Sequence, residues 1–168
     1  MDFSEQSEVS QSIRVIDGLL RSGIFHPQNS GHIFLRSAFI DSLISLRALM
    51  YKSERYATRI SFADDVLVAG KVKDVTDLIK YVRDAVCHPD SDNHKINGGN
   101  IATFNVIFGK GCLLQIGDFR QESLYEDDIY FTFGGQGIYL RRHIIRAFEE
   151  AKNNLLPLID EWCRPTGI

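Results

Sequence analysis

Arg83, Asp84 and His88 stand close together in the stretch Tyr81-Val82-Arg83-Asp84-Ala85-Val86-Cys87-His88-Pro89. An imidazole can give or take a proton near neutral pH. A guanidinium is a planar cation whose donors fit phosphate oxygens, and a carboxylate one turn away can orient the ring or balance its charge. This set suits cleavage of an RNA phosphodiester. RNA carries its own nucleophile, the 2′-hydroxyl, so a protein need supply only an acid or base, here His88, and a cation to stabilise the pentacovalent phosphate, here Arg83. Asp84 is expected to orient His88. The chemistry needs no metal and no cofactor. Cys87, His88 and His94 lack a credible fourth zinc ligand, and Asp90-Ser91-Asp92-Asn93 lacks the spacing and closing glutamate of a calcium loop.

These groups need a helix to present them. Val75, Leu78, Ile79, Val82 and Val86 recur at the spacing of a helix that buries one face. Asp84 and His88 fall one turn apart on the opposite side, with Arg83 on the flank. Asp74 is placed to cap the helix start, with Asp77 three residues on. Pro89 disfavours α conformation at His88 and should end the helix there.

An arginine, a polar residue, three more residues and a histidine at a helix end resemble the R-x4-6-H motif of HEPN domains. Arg83 matches the family's arginine, Asp84 the polar position that is often Asn, and His88 the histidine. The resemblance implies a small helical bundle that dimerises so that two motifs face each other, commonly a metal-independent ribonuclease of toxin or phage-defence type, with an antitoxin protein as a possible partner. Family members controlled by AMP transfer carry H-x-Y. This chain reads His88-Pro89-Asp90 and offers no tyrosine at that place.

The elements that must position the motif follow from periodicity. A first helix is expected over about residues 4–22, ending at Gly23, then a loop over 25–31 in which Asn29 or Ser30 can cap the next helix. Residues 33–52 read as a helix apolar almost all round, and so central; its polar breaks Arg36, Asp41, Ser42, Ser45 and Arg47 must be paired internally or face a cleft or partner. Residues 53–73 read as a helix end, a connector and one short helix. The stretch 90–100 is a long loop beside the motif, either a lid or disordered. Thr103–Phe108 and Cys112–Ile116, across Gly109-Lys110-Gly111, give a hairpin signal. Residues 118–128 read as an acidic loop, Ile129–Phe133 as a strand, and Gly134-Gly135-Gln136-Gly137 as a turn without a phosphate-binding signature. A last helix is expected over about Tyr139–Trp162, its opening cations Arg141, Arg142, His143 and Arg146 held in ion pairs or meeting a polyanion.

The expected fold is mainly α: a HEPN-like helical bundle, one domain over 1–168, with a small antiparallel β-meander inserted before the last helix at about 101–138. The formal net charge of −3 gives no overall attraction for nucleic acid, so RNA contact would rest on a local patch, and no DNA specificity is expected. Three scattered cysteines, an N-terminus without a leader pattern and no long apolar run lead to an expectation of a soluble, cytoplasmic protein without membrane partners. Three polar groups facing away from the core imply a homodimer through the outward face of the motif helix. The alternative function is a non-catalytic HEPN-like binding or dimerisation module in which Arg83, Asp84 and His88 form a structural cluster.

Overall fold

A computed structural model describes residues 1–88, 90–96, 99–101 and 103–165. Among these the chain is about half helical and mixed rather than purely helical, with four α-helices and antiparallel strands. It divides into two compact units: Met1–Phe62 with the chain from Arg146 onward, and Ala63–Ile145. The motif helix belongs to the second unit, with the strands.

The first unit is helical. α1 (Phe3–Arg21) packs on α2 (Leu35–Tyr56), and α2 on α4 (Arg146–Leu155). Val9, Ile13 and Ile16 of α1, Phe39, Leu43 and Leu46 of α2 and Phe148 of α4 are buried at helical spacing. α1 opens on a capping box, in which the Asp2 carboxylate accepts from Glu5 N and the Glu5 carboxylate accepts from Asp2 N. α2 begins without a side-chain cap, at Phe34. Neither Asn29 nor Ser30, the expected caps, serves it: Asn29 donates to the Gly23 carbonyl and Ser30 closes the 3₁₀ turn Pro27–Asn29.

Glu5 also ties α1 to the end of α2. It accepts from Tyr56 Oη at 2.7 Å, and from Lys52 Nζ and Arg55 Nη1 at 3.1 Å each. The Tyr56 hydrogen bond first, and then Lys52, hold its carboxyl at about 2. A depressed folded-state value stabilises the fold above the ordinary carboxylate range and is lost as pH falls. The melting temperature should therefore drop between about pH 4.5 and 2, and drop less in Glu5→Gln; equal acid profiles for the two proteins in a thermal melt series would contradict this role.

In the second unit, β3 (Asn105–Phe108), β6 (Ile129–Phe133) and β7 (Gln136–Tyr139) form an antiparallel sheet in the order β3-β6-β7. α3 (Val75–Cys87) packs on β6 and β7, with Val75, Leu78, Ile79 and Val82 fully buried, as are Phe131 and Ile138 in the strands. β1 (Lys95–Ile96) and β2 (Asn100–Ile101) make a short separate pair. The expected hairpin of 103–108 with 112–116 does not form. β3 pairs with β6, while β4 (Gly111–Ile116) pairs with β5 (Phe119–Ser123). The deciding turn is Gly117-Asp118: Gly117, at φ 58°, supplies the positive φ that a tight two-residue hairpin needs at its first central position. The ribbon β4–β5 is largely open to solvent, so its strand over 119–123 carries polar residues that read as an acidic loop.

Three other expectations are corrected. Residues 57–74 hold turns and one isolated bridge but no short helix, with Asp65 and Gly70 both at positive φ. Tyr139 ends a buried strand rather than opening a helix, a π-helical turn spans Leu140–Ile145, and α4 follows it. α4 stops at Leu155 because Pro157, which has no N–H to give, begins a run of 3₁₀ turns at Leu156–Leu158 and Glu161–Cys163. Of the glycine-rich stretch, Gly134-Gly135 is the tight turn between β6 and β7, while Gln136 and Gly137 open β7. Gly134 sits at φ 68°, and a Cβ there would collide with the Asn93 carbonyl.

Of the opening cations of the last helical segment, Arg142 and Arg146 are ion-paired. Asp128, whose side chain is fully buried, accepts from the backbone N–H groups of Ile129, Arg141 and Arg142 and from Arg142 Nη1 at 3.0 Å. Arg142 also meets Asp127 and lies over the Tyr125 ring. Arg146 pairs with Glu150. His143 is buried, its Nδ1 accepting from Tyr139 N and its Nε2 donating to the Asp64 carbonyl, the pattern of a neutral ring. No helix among the described residues is long and apolar enough to cross a membrane.

Candidate active site

α3 forms where its sequence places it. The Asp74 carboxylate accepts from Asp77 N at 2.9 Å, and the helix ends with His88 as its C-cap, extended at φ −119° and ψ 100°. His88 is exposed; Arg83 and Asp84 are half-buried, with side chains 29% and 27% exposed.

The three motif residues meet, in a different arrangement from the one expected. Arg83 Nη1 lies 3.2 Å from His88 Nε2 and 3.0 Å from Asp84 Oδ1. Asp84 therefore reaches the ring through the guanidinium rather than by holding it directly. A guanidinium N–H can only donate, so in this contact Nε2 presents its lone pair. The pairing of neighbouring residues is invisible on a helical wheel, where i and i+1 do not face each other.

The stretch after the motif, read as a lid or as disorder, folds back onto α3 over its described part. Asn93 Nδ2 donates to the Tyr81 carbonyl at 3.2 Å, and Tyr81 Oη donates to the Asn93 carbonyl at 3.3 Å. The His94 ring bonds the Ala85 carbonyl and packs edge-on to Phe133. Ser91 caps the 3₁₀ turn Asp92–His94. Residues 97 and 98 lie outside the described residues. Between this segment and the end of α3 runs an open groove of about 530 Å³, with Asp84 and His88 on one wall and Ser91, Asp92 and Asn93 on the other. Lys71 and Asp90 complete it, so one lysine faces three carboxylates. Lys95, 2.7 Å from Asp92, holds that carboxyl below its usual range.

No family model, no curated protein and no solved structure matches this chain. The chemistry must be read from the groove itself.

Among the described residues no three His, Cys, Asp or Glu side chains gather as a metal site. The thiols of Cys87, Cys112 and Cys163 are free, respectively half-buried, exposed and buried. The outward side of α3 is polar, with Asp77, Lys80, Arg83 and Asp84, and none of the large apolar side chains exposed among the described residues lies on it. Sequence reasoning missed Asn93 and Tyr81 as the clasp of the groove. The turn formers at 90–94 marked a loop, and only the backbone acceptors of α3 decide where it docks.

Proposed function

We propose that this protein is a metal-independent endoribonuclease with a HEPN-like motif, of toxin or phage-defence type, acting in the cytoplasm on RNA and open to control by an antitoxin protein. What supports the reading is the contact of Arg83 Nη1 with His88 Nε2 at 3.2 Å, made behind the groove from the ring that lines it. A guanidinium that rests on the imidazole is already within reach of whatever the imidazole acts on. When an RNA phosphate takes the Arg83 donors, Nε2 is released with its lone pair free to accept the 2′-hydroxyl proton. The 2′-oxygen then attacks the adjacent phosphorus, Arg83 stabilises the charge gathering on the phosphoryl oxygens, and the 5′-oxygen leaves with a proton from water while the His88 imidazolium returns its proton to solvent. The products are a 2′,3′-cyclic phosphate and a 5′-hydroxyl. Asp84 holds Arg83 in place while the site is empty.

One observation favours the second reading, a non-catalytic binding or dimerisation module. Asp84, Asp90 and Asp92 outnumber Lys71 around the groove, an unfavourable field for a polyanion. In that case Arg83, Asp84 and His88 are a structural cluster at a helix end.

The first test is RNA cleavage by the purified protein with and without EDTA. Cleavage at the same rate in both is expected. Loss of cleavage in EDTA, restored by a single divalent ion, would overturn the metal-independent mechanism.

A further inference from the structure

α2 has two apolar faces, and the first unit uses one of them. Phe39, Leu43, Leu46, Leu49 and Met50 are buried, while on the opposite side Ile44 is 47% and Tyr51 50% exposed, Ala48 is exposed and Ile40 half-buried. Ile40, Ile44 and Ala48 follow each other at intervals of four, making one continuous ridge along the outside of the helix. Two opposite charges flank it. Asp41 stands three residues before Ile44 on one side of the ridge and Arg47 three residues after it on the other.

Among the described residues neither charge is neutralised. Asp41 is exposed, and among the described residues neither it nor Arg47 has an ion-pair partner; Arg47 Nη1 is buried with no hydrogen-bond acceptor. The Arg47 guanidinium rests over the Tyr51 ring, 5.8 Å from its centre, on the same exposed side.

We infer that this face of α2 is a homodimer contact, occupied by α2 of a second copy. The two charges are placed symmetrically about Ile44, which a second copy of the same helix can match. In the common helix crossing of about −50°, ridges of i±4 residues pack along one another. A two-fold axis along the ridge then sets Ile40, Ile44 and Ala48 beside their own copies, and brings Asp41 of each chain to Arg47 of the other, once on each flank. An isologous contact requires that reciprocity. The axis perpendicular to the ridge would set Asp41 against Asp41 and Arg47 against Arg47, so the charges also select the sense in which the helices cross. The small Ala48 allows close approach at one end, and Tyr51 adds an aromatic anchor. This contact differs from the motif-helix face expected from the sequence and stands independently of the ribonuclease reading.

The test is the mass of the full chain by light scattering at micromolar concentration, with thermal unfolding as the control for folding. The parent should be a dimer. Ile44→Asp, at a position the monomer leaves half exposed, should raise the dimer dissociation constant at least about tenfold and still unfold cooperatively. Asp41→Arg and Arg47→Asp should each weaken the dimer, and the double exchange should restore it. A parent that is monomeric at micromolar concentration, a dimer unaffected by Ile44→Asp, or a double exchange as weak as its single parents would each overturn the inference.

Discussion

His88→Ala is expected to slow RNA cleavage by about 10²–10⁴-fold, the usual worth of a positioned acid or base, with little change in melting temperature. The imidazole is exposed at the helix end, so its loss removes chemistry rather than core packing. Arg83→Ala should act on the same step. Its guanidinium stabilises charge that appears on the phosphate only as the transition state is approached, so kcat should fall further than substrate binding. Arg83 also carries the contact to Asp84, and its removal leaves that carboxylate half-buried and unpaired, so a modest loss of stability should accompany the loss of rate. His88→Ala has no such companion effect. If the cluster is structural the pattern reverses: the unaltered protein cleaves nothing, and the substitutions register only in thermal unfolding. Measuring cell growth, cleavage and melting for the parent and both variants separates the two.

The largest effect on stability is expected at Asp128. Its carboxylate is fully buried and satisfies the N–H groups of Ile129, Arg141 and Arg142 together with one arm of Arg142. Asp128→Ala would leave backbone donors at the start of the π-helical turn without acceptors, and Arg142 without its buried counter-charge. Breaking a buried pair costs about 3–5 kcal/mol; because Arg142 is partly exposed, the lower end, about 3 kcal/mol, is expected. That is a large share of the stability of a domain of this size. Asp128→Asn keeps the shape and some acceptor capacity and should lose less. Equal denaturant midpoints for parent and Asp128→Ala would show that the turn does not depend on this cap. Arg142→Ala is expected to be milder, since water can reach the oxygens it leaves.

What the sequence made legible is mostly local. The buried stripe of α3, its Asp74 cap and its end at His88 follow from spacing, from one acceptor side chain and from a proline. Strand β6 was readable as a β-rich run. The pairing of strands was not. Gly109-Lys110-Gly111 and Gly117-Asp118 both look like turns, and only the second closes a hairpin, because β3 is taken by β6. Tyr139 and Leu140 read as the first residues of an apolar helix, since a short buried strand and a buried helix share one pattern of hydrophobicity. The Asp128 cap joins residues more than ten positions apart, beyond any capping motif read along the chain. At the candidate site, the residue types and the helix that carries them were legible. The Arg83–Asp84 contact and the clasp between Asn93 and Tyr81 were not, since both depend on side-chain reach rather than spacing.

The most direct measurement compares an RNA oligonucleotide with the same sequence carrying 2′-deoxy sugars, each incubated with the purified protein in EDTA, with the product ends identified by mass. Cleavage of the RNA alone, leaving a 2′,3′-cyclic phosphate and a 5′-hydroxyl, and its loss in His88→Ala, is the predicted result. Cleavage of the deoxy strand, or no cleavage of any RNA by the parent protein, would contradict the assignment of Arg83 and His88 to phosphodiester chemistry.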